Sequence, residues 1–155
     1  MERLKLESAF LILAFFLGSS LYTYAGGPQI ERAWIQAVPQ SADATAAFMT
    51  IRNTGSQPII LTGGSTPIAK EAQPMVTTRQ KKNGAEILGM DSVDKLEIAA
   101  GAAIELKPGG DHLMLMSLLS HPKEGDRVKL TIRFDPGNKA IDLEVPVYRE
   151  APGGK

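Results

Sequence analysis

The chain has 155 residues, 17 basic and 17 acidic side chains, a formal net charge of zero and no cysteine. The length suits one domain, and the 43% hydrophobic and 22% charged content is typical of a folded chain. The absence of cysteine excludes a disulfide framework, a zinc ribbon, an iron–sulfur cluster, a thiol nucleophile and a lipid-bearing cysteine, and the balanced charge offers no footprint for nucleic acid. Any metal must be held by His, Met, Asp or Glu.

Residues 1–25 have the organisation of a secretory signal peptide. Basic residues precede an apolar run at 9–22, and a small-residue cleavage pattern ends at Ala25. The run of about 14 apolar residues is shorter than the roughly 20 that a membrane-spanning helix needs. We therefore expect export with signal cleavage and no stable membrane insertion afterwards. The expected division is a signal peptide at 1–25, one domain at 26–150 and a flexible tail at 151–155.

The rest of the chain alternates short apolar–polar runs with turn-forming residues. This pattern is typical of an all-β sandwich or barrel, and 126–134 shows it most clearly. Gly, Asn and Pro at the junctions favour tight turns, for example Asn83-Gly84. The pattern predicts ten strands, near 31–38, 45–53, 57–62, 72–80, 84–91, 95–99, 102–107, 112–118, 126–134 and 140–148.

Soft metal-binding side chains lie together on one predicted strand. In the HLMLM segment, the two-residue period of a strand places His112, Met114 and Met116 on one face and two leucines on the other. A neutral thioether is a soft donor that favours Cu(I), while a blue-copper centre would need a cysteine. Methionine forms no disulfides, so such a site suits an oxidising compartment. The structural alternative is that methionine fills core gaps, as we expect for Met49.

The spacing of these residues resembles the periplasmic copper chaperones of the PCu(A)C family. The motif of that family is a His or Met, then a Met, then 21 residues and His-x-Met, and here 21 residues separate Met90 from His112-Leu113-Met114. The resemblance extends over 31–148 and includes the segments 46–55, 105–116 and 123–134. It implies a cupredoxin-like Greek-key β-sandwich that binds copper as Cu(I).

The first ligand position departs from the usual family pattern. The family commonly has a histidine ten residues before the methionine, and that count from Met90 ends at Arg79, which does not bind metal cations. Alignment from Pro67-Ile68-Ala69 instead places Met75 there, with 14 intervening residues and the extra ones at a hairpin tip. The resemblance thus implies a site formed by Met75, Met90, His112 and Met114.

The function implied by the resemblance is that of a periplasmic copper chaperone. We expect a monomer that delivers Cu(I) to the copper centre of a respiratory oxidase, directly or through an assembly factor of cytochrome c oxidase. Met116 is expected to cover the site and His121 to be a solvated loop residue. The alternative is a metal-free β-sandwich interaction module of the cell envelope, with its methionines buried and dispersed. We expect no enzyme, because no nucleophile or paired-carboxylate signature occurs.

Overall fold

The computed structural model describes residues 26–153, which form ten β-strands and no helix. In this part of the chain no helix is long and apolar enough to cross a membrane. The predicted signal peptide at 1–25 lies outside the described residues, as do the last two residues of the predicted tail. The strands are β1 (Pro28–Gln36), β2 (Ala44–Asn53), β3 (Ile59–Thr66), β4 (Ala69–Lys82), β5 (Ala85–Ser92), β6 (Leu96–Ile98), β7 (Ala103–Leu106), β8 (His112–Leu118), β9 (Arg127–Asp135) and β10 (Lys139–Tyr148).

Seven of the strands form a closed ring of hydrogen-bonded neighbours. The order is β4-β8-β2-β1-β10-β9-β3, and β3 also pairs with β4, which closes the ring. Only the pairing of β1 with β10 in this ring is parallel. β5, β6 and β7 are added outside it, on β4, β3 and β2 respectively. The predicted all-β fold is confirmed, and each predicted strand is found within a few residues of its expected bounds.

The core is formed by the inward side chains of the ring. In β9 the buried residues Val128, Leu130, Ile132 and Phe134 alternate with exposed or half-buried ones, as the two-residue period of a strand requires. Met49 is also in this core, only 2% exposed, so its predicted structural role is confirmed. Other core side chains are completely inaccessible to solvent, among them Ile35, Ile51, Leu61, Leu113, Leu115 and Val147.

A two-stranded arm extends from the ring. The first half of β4 pairs with β8 as far as Met75, and the second half pairs with β5. We call residues 75–92 the arm. Its tip is the predicted Asn83-Gly84 turn, in which φ is 53° and 79° respectively. Two successive residues with positive φ form the turn whose twist matches a two-residue hairpin, and Asn and Gly tolerate it best. Among the described strands, β5 pairs only with β4.

Asn53 is the main buried polar side chain that connects two loops. It is fully buried, and its Nδ2 donates to the carbonyl oxygens of Gln57 at 2.7 Å and Ile98 at 3.1 Å. Its Oδ1 accepts a hydrogen bond from the backbone N–H of Gly55 at 3.0 Å. These bonds hold the loop that follows β2 against the end of β6.

We predict that Asn53→Ala lowers the free energy of unfolding by about 2–3 kcal/mol. The substitution removes all the hydrogen bonds of this side chain, including the fully buried one to the carbonyl oxygen of Ile98, and their loss costs more than the loss of one exposed bond. Urea unfolding, followed by the fluorescence of Trp34, measures the change. The control is Thr62→Val, which removes an exposed hydroxyl bond to the carbonyl of Arg133 and should cost less than about 0.5 kcal/mol. Equal losses in both variants would contradict this role of Asn53.

Candidate metal centre

His112 is held at the start of β8 with a defined tautomer. Leu113 and Leu115 on the opposite face are fully buried and fix the strand in the core, which turns His112 and Met114 to the other side. The Nδ1 atom of His112 lies 3.0 Å from the carbonyl oxygen of Gly110. A carbonyl oxygen only accepts hydrogen bonds, so Nδ1 carries the proton and donates it. The lone pair of the neutral ring is then on Nε2, which is the atom available to a metal.

Met75 lies directly opposite His112 in the β4–β8 ladder, and Gln73 lies opposite Met114. Side chains of opposite residues in an antiparallel pair lie on the same face, with Cβ atoms about 4.5–5.5 Å apart. The half-buried thioether of Met75 is therefore next to the imidazole of His112. The register brings these two predicted ligands together although 36 residues separate them in the chain.

Met90 reaches the same region from the arm. It lies on β5 opposite Thr77, one same-face position beyond Met75 on β4, and is 60% exposed. Met90, His112 and Met114 line one open cavity of about 400 Å³. Met75 is not among the residues that line it. The structure thus places three of the four predicted ligands around a cavity, and the fourth beside His112.

Aromatic packing supports the imidazole from the side of β2. The ring centroids of Phe48 and His112 are 6.3 Å apart. The ring centroid of the buried Trp34 is 4.7 Å from that of Phe48. This contact restricts the orientation of His112 in addition to its hydrogen bond. Val38, Leu88 and Pro108 complete a largely apolar wall around the cavity.

Three other residues discussed in the sequence analysis do not line the cavity. Arg79 is on the arm opposite Leu88 and forms an exposed ion pair with Glu86 at 3.7 Å. Met116 lies one same-face position beyond Met114 on β8 and does not line the cavity. The Nε2 of His121 is 3.0 Å from the carbonyl oxygen of Ala42, and the side chain is half-buried. His121 therefore lies in a loop, as expected, but its side chain is half-buried and hydrogen-bonded and not fully solvated.

The sequence did not single out Phe48 or Gly110. Gly110 orients His112 through its carbonyl oxygen, and its position two residues before the histidine is the only signal that could have drawn attention to it. Phe48 is distant in the chain, so only the β2–β8 pairing reveals its contact. Among residues 26–153, no group of three or more His, Asp or Glu side chains is placed to hold a metal ion. The candidate centre consists of one imidazole and neutral thioethers.

Fold and donor set together define a β-domain with a candidate soft-metal centre. The family model described as "Putative lipoprotein LpqE-like" matches residues 29–147. The chain therefore belongs to the LpqE-like family, which is the family of PCu(A)C copper-chaperone domains. A protein of Leifsonia xyli subsp. xyli, named "Putative lipoprotein Lxx21020", is 36% identical over 123 residues. That match covers 79% of this chain and 70% of the relative.

Solved structures of such domains have the same fold. The solution structure of DR1885 from Deinococcus radiodurans with Cu(I) is 29% identical, with a TM-score of 0.62, and the match covers 88% of this chain and 85% of that one. The apo form is 31% identical, with a TM-score of 0.56 and coverage of 100% and 97%. The copper-bound PCuAC domain from PmoF2 is 20% identical, with a TM-score of 0.63 and coverage of 83% and 97%. The predicted cupredoxin-like β fold is confirmed.

Burial predicts the order in which the methionines are oxidised. Thioether oxidation to the sulfoxide follows solvent exposure, and Met90 is 60% exposed whereas Met49 is 2% exposed. We expect limited hydrogen peroxide to oxidise Met90 first, the half-buried Met75 and Met114 next, and Met49 last. Peptide mapping by mass spectrometry of the metal-free protein measures this order. Oxidation of Met49 ahead of Met90 would contradict the placement of the arm.

Proposed function

We propose that this protein is an exported copper chaperone that binds Cu(I) through Met75, Met90, His112 and Met114. The observation that carries the proposal is that Met90, His112 and Met114 line one cavity while Met75 lies opposite His112. Three thioethers and one imidazole are neutral donors, and the soft thioethers favour Cu(I) over zinc, magnesium or calcium. The related DR1885 has been solved with Cu(I). The binding atom of His112 is Nε2, because Nδ1 is engaged by Gly110.

The placement of Met90 suits transfer of the ion to another protein. His112 and Met114 are on a strand anchored by buried leucines, whereas Met90 is on the exposed strand of the arm. An acceptor can approach Met90 first and replace it before it displaces the more enclosed donors. The departure of the ion requires no proton uptake by the thioethers and leaves no buried anionic charge behind.

The acceptor in this proposal is a copper-receiving protein of the respiratory oxidase assembly pathway, or the oxidase copper centre itself. We propose that the chaperone works in the periplasm as a monomer, since one chain supplies all four donors. Export rests on the signal-like segment at 1–25 and on the relative that is named a lipoprotein. The working unit would then be the domain at 26–150, followed by the tail at 151–155.

The metal-free alternative explains the geometry less well. It requires the methionines to be buried and dispersed. Met49 fits that description, but Met90 is largely exposed and shares a cavity with His112 and Met114. This convergence favours binding and transfer of a metal ion over a purely adhesive role.

The direct test is competition for Cu(I) against a chromophoric Cu(I) chelator in oxygen-free buffer. We expect one equivalent to bind to the wild type. Met90→Leu, Met114→Leu and His112→Ala should each weaken binding by more than roughly tenfold. Removal of a metal ligand lowers the affinity more than removal of a residue that only hydrogen-bonds to a ligand, which itself costs at least about tenfold. Met→Leu nearly conserves volume, so the fold is retained. The matched control is Met116→Leu on the same strand face, which should bind as the wild type does. Equal affinity in all variants would refute the site.

Met75 needs its own measurement. If Met75 is the fourth ligand, Met75→Leu weakens Cu(I) binding to the same extent as Met90→Leu, and X-ray absorption of the wild-type complex shows three sulfur donors and one nitrogen. Wild-type affinity in Met75→Leu together with two sulfur donors would remove Met75 from the site. That result would leave Met90, His112 and Met114 as the protein ligands.

A further inference from the structure

We propose that Asp111 is a positioning residue for the copper site, and that its carboxylate fastens the arm that carries Met90 to the strand that carries His112. The inference rests on the proposed copper function. It concerns how the chain fixes the separation of two ligands that come from different elements.

The fastening lies where the β4–β8 ladder stops. The last pair of that ladder is Met75 with His112. One step further, the backbone N–H of Thr77 donates to Oδ1 of Asp111 at 2.8 Å. Thr77 is the residue opposite Met90 on the arm. A single hydrogen bond therefore joins the cross-strand partner of Met90 to the residue that precedes His112.

Asp111 is itself held by a closed loop. The backbone N–H of Lys107 donates to the carbonyl oxygen of Asp111 at 2.8 Å, and the N–H of Gly110 donates to the carbonyl oxygen of Lys107 at 3.0 Å. The same loop presents the carbonyl oxygen of Gly110 to Nδ1 of His112. We call residues 107–111 the ligand loop. It orients the imidazole directly and holds the arm through the side chain of Asp111.

The arm needs such a fixed point. A two-stranded hairpin by itself is marginally stable in water, and beyond Met75 the arm consists of two strands paired with each other. Its base has two further bonds, from the N–H of Val93 to the carbonyl of Pro74 and from the hydroxyl of Ser92 to Gln73. Both of these bonds join the end of β5 to β4 and do not reach the ligand loop. The bond from Thr77 to Asp111 is the contact that joins β4 to the ligand loop. A metal site tolerates errors of only about 0.5 Å in ligand position, so release of this contact should weaken binding.

Three substitutions at Asp111 separate position from charge. Asp111→Ala removes the acceptor, Asp111→Asn keeps Oδ1 without the charge, and Asp111→Glu keeps the charge but displaces the oxygens by one methylene. We expect Asp111→Ala and Asp111→Glu to bind Cu(I) roughly tenfold more weakly, the lower end of the effect of outer-shell partners. Asp111→Asn should bind like the wild type. The matched control is Asp126→Ala, which removes a similar bond to the N–H of Lys123 in an exposed turn and should leave affinity unchanged.

A second readout needs no copper. Hydrogen exchange at the amide of Thr77, measured by NMR in the metal-free protein, should be faster in Asp111→Ala and Asp111→Glu than in Asp111→Asn or Asp126→Ala. Thermal unfolding of each variant checks that the fold is retained, and Asp111→Glu tests the contact if alanine perturbs the fold. Wild-type exchange at Thr77 in Asp111→Ala, or faster exchange with unchanged affinity, would overturn the positioning role. Absence of Cu(I) binding by the wild type would instead overturn the proposed function, a result that no effect at Asp111 produces.

Discussion

The burial of Leu113 and Leu115 is the constraint on which the candidate site depends. Both side chains are fully buried, so β8 cannot rotate or slip by one residue without exposing its apolar face. That constraint holds His112 and Met114 on the opposite face. β8 also lies between β4 and β2, so its register decides which residues of those strands are next to the donors. Met75 comes from one neighbour and Phe48 from the other.

The site combines a rigid part and a more exposed part. His112 is packed beside Phe48 and hydrogen-bonded to Gly110, and Met114 is flanked by paired strands on both sides. Met90 is on a strand with one neighbour, and regions with few buried contacts open most easily. In the proposed transfer, the rigid part retains the ion while the exposed part admits the acceptor. The ligand loop lies between the two parts and contacts both.

The sequence predicts much of this arrangement because strands, turns and same-face placement are local properties. The alternation within β9 and the Asn83-Gly84 turn depend only on neighbours in the chain, and HLMLM already places His112 and Met114 on one face. Closure of the ring does not follow from local pattern. At Gly64 a Cβ atom would collide with the carbonyl oxygen of Thr131, so glycine allows β3 to approach β9 there, a contact between distant segments. The hydrogen bonds between Thr77 and Asp111 and between His121 and Ala42 also join distant segments, so the local sequence pattern does not predict them.

The hairpin geometry is also compatible with the proposed assignment of Met75 as the first ligand. The usual family spacing has ten residues before the methionine, and the spacing from Met75 to Met90 has 14. Four extra residues in an antiparallel hairpin add two to each strand, and two residues are one full period of side-chain alternation. Lengthening the tip beyond Thr77 by this amount returns every side chain to its original face and keeps Met75 diagonal to Met90. An insertion of two residues would add one to each strand and reverse the faces near the tip. The longer spacing is therefore compatible with a diagonal placement of Met75 and Met90, whereas Arg79 lies nearer to the tip, in an exposed ion pair with Glu86.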